Sequence, residues 1–271
     1  MANQTDAVRQ LPTVYVGGFP TVALTRRELA EVMVYDCLEA RKSPNEHLPK
    51  LVFSSNGQGI ALAGRDRSFA EAMRKADIVH ADGMSAVFAS RLSPTPLPER
   101  ICTTDFFPDA AEAACAHGLK FFLLGAAEKQ NEAAVAAISH MYPDLQLVGR
   151  HHGYFDQSED ERICELVRES GADVLWVALG KPRQEFWCVR NHERLKGVGW
   201  VKTCGGLYSY FAGDAPRAPR WVRAAGLEWL YRLLDDPKRL AWRYLTTNPY
   251  AAYRLLRYTE RRSSATPKGF N

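Results

Sequence analysis

The 271-residue sequence predicts an α/β protein, with a mainly parallel sheet flanked by helices and then an all-helical, arginine-rich appendage. Three observations predict it. Seven short apolar runs alternate with Ala- and Glu-rich stretches of helical period, the pattern of successive β-α-β units. Several of these runs end on a turn glycine. From about residue 214 the strand signals stop and only helix signals continue.

The strand-like runs lie at 13–16, 51–54, 77–79, 120–124, 145–148, 173–179 and 199–203. They are short and apolar, and several are rich in Val, Leu and Phe, as strands buried on both faces are. Helical periodicity falls between them at 69–75, 107–116, 128–141 and 160–170. This order describes a Rossmann-like core. In the last part, Ala218-Pro219, Asp236-Pro237 and Asn248-Pro249 each set proline just inside a helix start. They predict helices over about 219–234, 237–247 and 249–261. The expected organisation is an α/β core over 1–213, a helical appendage over 214–262 and a disordered tail over 263–271.

Composition is that of a soluble globular chain, 46% hydrophobic and 24% charged. No apolar run approaches the ~20 residues of a membrane-spanning helix. The first residues carry no basic flank and no apolar stretch, and are read as lacking a secretory signal. Six scattered cysteines without a C-x-x-C pair suit free thiols in a reducing compartment rather than a disulfide frame or zinc site. The net charge of +4 is uneven. Residues 214–271 hold 12 Lys and Arg against 5 Asp and Glu, so the tail is at +7 and the remainder at −3. A basic tail on an acidic body points to anionic phosphates, nucleic acid or an anionic membrane surface.

The candidate site residues cluster at strand ends. Ala81-Asp82-Gly83-Met84 follows one strand run and precedes a helix run. In open parallel sheets ligands bind at such carboxyl ends, although an aspartate there also suits a helix cap. Ser54-Ser55-Asn56 ends another run and offers hydroxyls and an amide, for a ligand or for a cap. Gly125 ends a third run without the G-x-G-x-x-G spacing of a dinucleotide fingerprint. Gly180-Lys181-Pro182-Arg183-Gln184-Glu185 is a polar loop after the most hydrophobic run, and Gly205-Gly206 follows the last. Asp105 and Glu99 are potential carboxylate partners for Asp82. His151-His152 lack spaced partners, so no metal site is expected. In the tail, Arg217, Arg220, Arg223, Arg232, Arg239, Arg243, Arg254 and Arg257 interleave with Trp221, Trp229, Trp242, Tyr231, Tyr244 and Tyr253. Arginine suits bidentate phosphate contacts, and arginine with interfacial aromatics suits a membrane-surface helix. No nucleic-acid module fits the tail.

These stretches resemble the WecG/TagA/CpsF glycosyltransferases, glycosyltransferase family 26. The resemblance runs from about Val14 to Tyr244. It is carried by Val52-Phe53-Ser54-Ser55-Asn56, Ala81-Asp82-Gly83, Leu97-Pro98-Glu99-Arg100 and Gly180-Lys181-Pro182-Arg183-Gln184-Glu185-Phe186-Trp187. Ala212-Gly213, Arg217-Ala218-Pro219 and Gly226-Leu227-Glu228-Trp229-Leu230-Tyr231-Arg232-Leu233-Leu234 complete it.

The resemblance implies inverting transfer of a sugar from a UDP-sugar to an undecaprenyl-diphosphate-linked acceptor, in bacterial surface or exopolysaccharide synthesis. It implies no metal and no cofactor. The family's general base falls on Asp82. Its acceptor-binding positions fall on Ser54, Asn56, Arg100 and Gln184, and its donor-diphosphate arginines on Arg232, Arg239 and Arg243. Gly125, Gly180, Gly205 and Gly206 are the candidate nucleotide-binding turns. Two departures bear on donor identity: Thr103-Thr104-Asp105 replaces Gly-Ser-Asp, and Ser209 stands where the family has Asp. The expected place of action is the cytoplasmic face of the cell membrane, bound peripherally to an anionic surface, and a homo-oligomer is compatible with the sequence. The rival readings are an oxidoreductase or epimerase on the same scaffold, which would need a dinucleotide fingerprint, and a non-catalytic nucleotide-sugar-binding partner of a polysaccharide assembly complex.

Overall fold

The computed structural model describes residues 10–214, 218–224 and 226–261; the side chains of Arg220, Ala224, Arg232 and Arg239 also lie outside the description. The tail expected over 263–271 therefore falls outside the described residues. The chain opens with a hairpin, β1 (Thr13–Val16) and β2 (Phe19–Val22), paired antiparallel around Gly17-Gly18. The first expected strand thus pairs with a strand that Pro20 hid, because proline in an apolar run argues against a central strand. Next come α1 (Arg26–Lys42), β3 (Lys50–Ser55), α2 (Gly57–Ala63), α3 (Arg67–Arg74), β4 (Ile78–Ala81), α4 (Met84–Ser90) and α5 (Thr103–His117). They are followed by β5 (Lys120–Gly125), α6 (Glu128–Met141), β6 (Gln146–His151), α7 (Asp160–Glu169), β7 (Val174–Ala178), α8 (Arg183–Arg190), β8 (Trp200–Thr203) and α9 (Leu207–Phe211).

Six strands form one parallel sheet in the order β4-β3-β8-β7-β5-β6. The central strands β7 and β8 are buried along their whole length, as a sheet covered by helices on both faces requires. Residues alternate between two cores. Leu51, Phe53, Val79, Leu175, Val177 and Val201 pack on one face, and Val52, Ile78, Val174, Trp176 and Trp200 on the other. Helix starts are set by side chains: Thr25 and Glu28 form a reciprocal capping box on α1, and Asp66 caps α3.

The appendage contains α10 (Arg220–Ala224), α11 (Glu228–Asp235) and α12 (Pro237–Arg257). The helix expected over 219–234 is divided at Gly226, whose φ of +74° leaves the helical region. The two helices expected on either side of Pro249 are instead one, with Pro249 inside it. Tertiary contacts explain why proline does not end α12 here. Tyr250 donates to the Gly64 carbonyl (3.0 Å) and Arg65 donates to the Thr246 carbonyl (2.8 Å), holding α12 along α2 through the proline. Beyond α12 the chain returns to the hairpin. Gly18 N donates to the Tyr258 carbonyl (2.9 Å) and Glu260 N to the Tyr15 carbonyl (2.9 Å).

Candidate active site

Because the six strands are parallel, their carboxyl ends share one edge. That edge carries Ser54 and Asn56 from β3, Asp82 from β4, Gly125 from β5, Gly180 from β7, and Gly205 and Gly206 from β8. Arg100 joins them because Ile101 N donates to the Ala81 carbonyl at 2.8 Å. Gln184 joins them by accepting at Oε1 from Gly205 N at 3.2 Å. Residues scattered over more than half the sequence thus converge on one rim, the place where open α/β sheets bind ligands.

Asp82 continues the ladder one residue past β4, its N–H donating to the Ser55 carbonyl at 2.8 Å. Gly83, not Asp82, holds the N-cap position of α4. The Asp82 carboxylate acts electrostatically on Arg100, Cys102 and Lys202. Burial alone would lower the Arg100 pKa, yet the net shift is upward, with the hydrogen-bonded Glu228 carboxylate and the Asp82 carboxylate acting against burial. Burial, reinforced by the charge of Asp82, pushes the Cys102 thiol up to about 12, so it stays protonated and inert at neutral pH.

The β3 residues serve both structure and site. Asn56 caps α2, its Oδ1 accepting from Gly59 N at 3.0 Å. The buried Ser54 gives its carbonyl to Lys181 Nζ at 2.8 Å. Lys181 also pairs with Glu185, whose Oε1 accepts a further bond from Gln184 Nε2 at 3.0 Å. The Gln184 amide is therefore buried and engaged on both sides, tying the polar loop to the turn after β8. Ser55 Oγ, Thr203 Oγ1 and Glu185 Oε2 are buried at this edge without a hydrogen-bond partner among the described residues.

The turn glycines divide into two kinds. Gly125 has φ +129°, and a Cβ there would lie 2.3 Å from the Ala178 carbonyl oxygen. Glycine at 125 is thus demanded by strand packing. A Cβ at Gly180, Gly205 or Gly206 would meet nothing within 4 Å, which leaves those turns open to an approaching ligand.

The appendage reaches this rim through charge. Arg100 Nη1 donates to Glu228 Oε2 of α11 at 2.8 Å, and its Nη2 to Asp105 Oδ2 at 3.3 Å. Asp105 also accepts from Arg223 Nη1 of α10 at 2.8 Å. Asp105 thus accepts from two guanidinium groups, while Glu99 accepts from Arg26 N at 2.6 Å. Arg243 lies on α12, and its Nε is buried with no partner among the described residues. Arg232 and Arg239 sit on α11 and α12, with side chains outside the described residues, and Arg217 lies outside them altogether. Among the described residues no group of three or more His, Cys, Asp or Glu is placed to hold a metal ion.

Sequence reasoning missed two groups beneath the rim. Lys202 of β8 is 0% exposed. Its Nζ lies 2.7 Å from His80 Nε2 and 3.0 Å from the Thr203 carbonyl. His80 Nδ1 lies 2.9 Å from the Ile101 carbonyl. A carbonyl only accepts, so Nδ1 carries the proton, Nε2 is the acceptor, and Lys202 donates to it. The available signal was a charged residue inside an otherwise apolar strand of a doubly covered sheet.

The carboxyl rim of the parallel sheet thus carries an aspartate and arginines, at the place where open α/β sheets bind ligands. The profile of the glycosyl transferase WecG/TagA/CpsF family matches residues 14–265. The N-acetylglucosaminyldiphosphoundecaprenol N-acetyl-beta-D-mannosaminyltransferase of Staphylococcus aureus strain MRSA252 is 32% identical over 189 residues, 70% of this chain and 73% of that protein. Proteins of the same name from strains NCTC 8325 / PS 47 and COL show the same identity and coverage. The chain belongs to the WecG/TagA/CpsF glycosyltransferase family. It is a glycosyltransferase, and the oxidoreductase, epimerase and non-catalytic readings fall away.

Proposed function

We propose that this protein is an inverting, metal-independent glycosyltransferase that moves a sugar from a UDP-sugar to an undecaprenyl-diphosphate-linked sugar in bacterial surface or exopolysaccharide synthesis. The observation that carries the reading is the placement of Asp82 at the carboxyl rim, acting on Arg100, which is itself bonded to the arginine-rich appendage through Glu228. In this division of labour the core over 1–213 holds the base and the acceptor, and the appendage over 214–262 supplies positive charge.

The reaction is a single displacement. The acceptor hydroxyl oxygen bonds to the anomeric carbon as the bond from that carbon to the UDP oxygen breaks. The hydroxyl proton passes to Asp82, a general base. The electron pair leaves with UDP, whose diphosphate is stabilised by Arg232, Arg239 and Arg243. Ser54, Asn56, Arg100 and Gln184 orient the acceptor, and the open turns at Gly180, Gly205 and Gly206, with Gly125 behind them, receive the nucleotide. No cofactor is required. The relatives' names support N-acetylglucosaminyldiphosphoundecaprenol as the acceptor class and N-acetylmannosamine as the first donor sugar to test. Glucose and N-acetylmannosaminuronic acid follow it, because Thr103 and Ser209 depart from the family pattern.

The acceptor lipid stays in the bilayer, so the enzyme acts at the cytoplasmic membrane surface. No described helix is long and apolar enough to cross a membrane. Instead the appendage exposes Trp221 (71%), Leu234 (75%), Trp242 (75%) and Leu245 (72%) among its arginines, a composition suited to a peripheral contact with anionic lipid. The test is UDP release by the purified full-length chain, screened over UDP-sugars with a lipid-diphosphate-linked N-acetylglucosamine acceptor. Acceptor-dependent release with one donor is the expected result; none with any donor overturns the reading.

A further inference from the structure

The buried pair formed by Lys202 and His80 has no part in the mechanism above, yet it lies directly beneath the proposed base. Lys202 reaches from β8 across β3 to β4, because β3 separates those two strands in the sheet. Its partner His80 is two residues before Asp82. The ladder continues through Asp82 N to the Ser55 carbonyl, so His80 and Asp82 project from the same face of β4. Two strand residues span roughly 6–7 Å, so His80, which holds the ammonium, and Asp82 are near neighbours on one face, and Asp82 acts electrostatically on Lys202.

A fully buried ammonium is costly. Its contacts, an imidazole nitrogen, a carbonyl and the Phe106 ring at 5.9 Å, bring no opposite charge. The titratable groups acting on it are Cys204 on its own strand, Asp82 after β4, Lys181 before α8 and Cys102 before α5. Burial pushes the Cys102 and Cys204 thiols up to about 12, so they are neutral. Lys181 is a cation already paired with Glu185. Asp82 is therefore the one group of this set whose negative charge complements Lys202. Burial lowers Lys202 to about 8, partly offset by the Asp82 carboxylate, so it is charged at neutral pH and close to titrating.

We propose that Lys202, held by His80, is a positioning residue for Asp82: its buried charge keeps the carboxylate ionised and ready to accept the acceptor's proton. This rests on Asp82 being the base, and the test separates the two ideas. The Asp82 carboxyl is titrated by carbon-13 NMR of aspartate-labelled protein, its resonance assigned by loss in Asp82→Asn. In Lys202→Met, an uncharged chain of similar length, the Asp82 midpoint moves upward by a unit or more, roughly a tenfold change in its ionisation equilibrium. The acid limb of the kcat/KM profile moves with it, and Lys202→Arg restores both. A folded Lys202→Met with an unmoved midpoint overturns the proposal. If Lys202→Met does not fold, His80→Leu, which removes the acceptor of the ammonium and further disfavours its charge, must raise the Asp82 midpoint; an unmoved value overturns the proposal equally. Asp82→Asn with intact transfer would instead remove the reading of Asp82 as base, and the midpoint measurement stands independently of that outcome.

Discussion

Arg100, a core residue at the carboxyl rim, donates through Nη1 to Glu228 of α11 across 2.8 Å, with both side chains only 12% exposed. The pair joins the carboxyl rim of the core to helix α11 of the appendage. A charge pair so protected from water is felt when one partner is removed. Glu228→Ala should lower unfolding free energy by about 1–3 kcal/mol, read in a urea titration. Arg100→Ala should cost a similar amount and also raise the KM for the lipid acceptor. In a double-mutant cycle the stability losses should fall short of additivity, as expected for residues in contact; simple additivity would mean that the pair contributes nothing.

The turn glycines separate packing from ligand approach. Gly125→Ala forces a Cβ to 2.3 Å from the Ala178 carbonyl oxygen, and the backbone is strained besides. It should destabilise by about 3 kcal/mol or more, seen as a large fall in Tm. Gly206→Leu meets no neighbour of its Cβ within 4 Å, so it should fold with an unchanged Tm and bind UDP more weakly by calorimetry. Unchanged UDP affinity would place the nucleotide elsewhere on the rim.

The buried imidazole sets an acid limit on stability. Burial first, then the charge of Lys202, holds His80 well below the usual histidine range. Its folded pKa is depressed, so on acidification the unfolded chain takes up a proton that the folded chain refuses. Stability is therefore lost as pH falls through about 6.5, the unfolded value. Lys202 works in the same sense higher up. With its pKa lowered to about 8, its cost is fully present below that value and is relieved as pH rises toward about 10.4. Urea midpoints of wild type and His80→Gln should converge on acidification below pH 6.5; parallel curves would contradict a neutral His80.

The exposed Trp and Leu side chains of the appendage predict a membrane contact that salt alone does not abolish, since apolar burial adds to charge attraction. Replacing Trp221, Leu234, Trp242 and Leu245 with serine should reduce cosedimentation with phosphatidylglycerol vesicles at least tenfold, while UDP-sugar hydrolysis without lipid stays near wild type. Equal sedimentation of both proteins would assign those side chains another partner.

The strand runs and their alternation with helices made the parallel sheet legible, because strands buried on both faces write themselves as short apolar runs. The rim was legible for the same reason: once strands are parallel, every residue that follows one lands at the same edge. What stayed hidden depends on tertiary contacts. Pro20 concealed β2, and Pro249 suggested a helix boundary that the packing of Tyr250 and Arg65 overrides. Glu228 read as part of a helix motif, and only the fold brings it to Arg100. Lys202 and His80 sit in apolar strands 122 positions apart, and no spacing rule joins them. Asp82 could be read as a helix cap until Gly83 was seen to hold that position.

The most direct test of Asp82 as the base is Asp82→Asn, assayed for sugar transfer and, separately, for UDP binding. The substitution keeps size and removes the basic oxygen, so transfer should fall by about 10²–10⁴-fold, with UDP affinity and Tm near wild type. Turnover within a few-fold of wild type by a folded Asp82→Asn protein would contradict the role given to this residue.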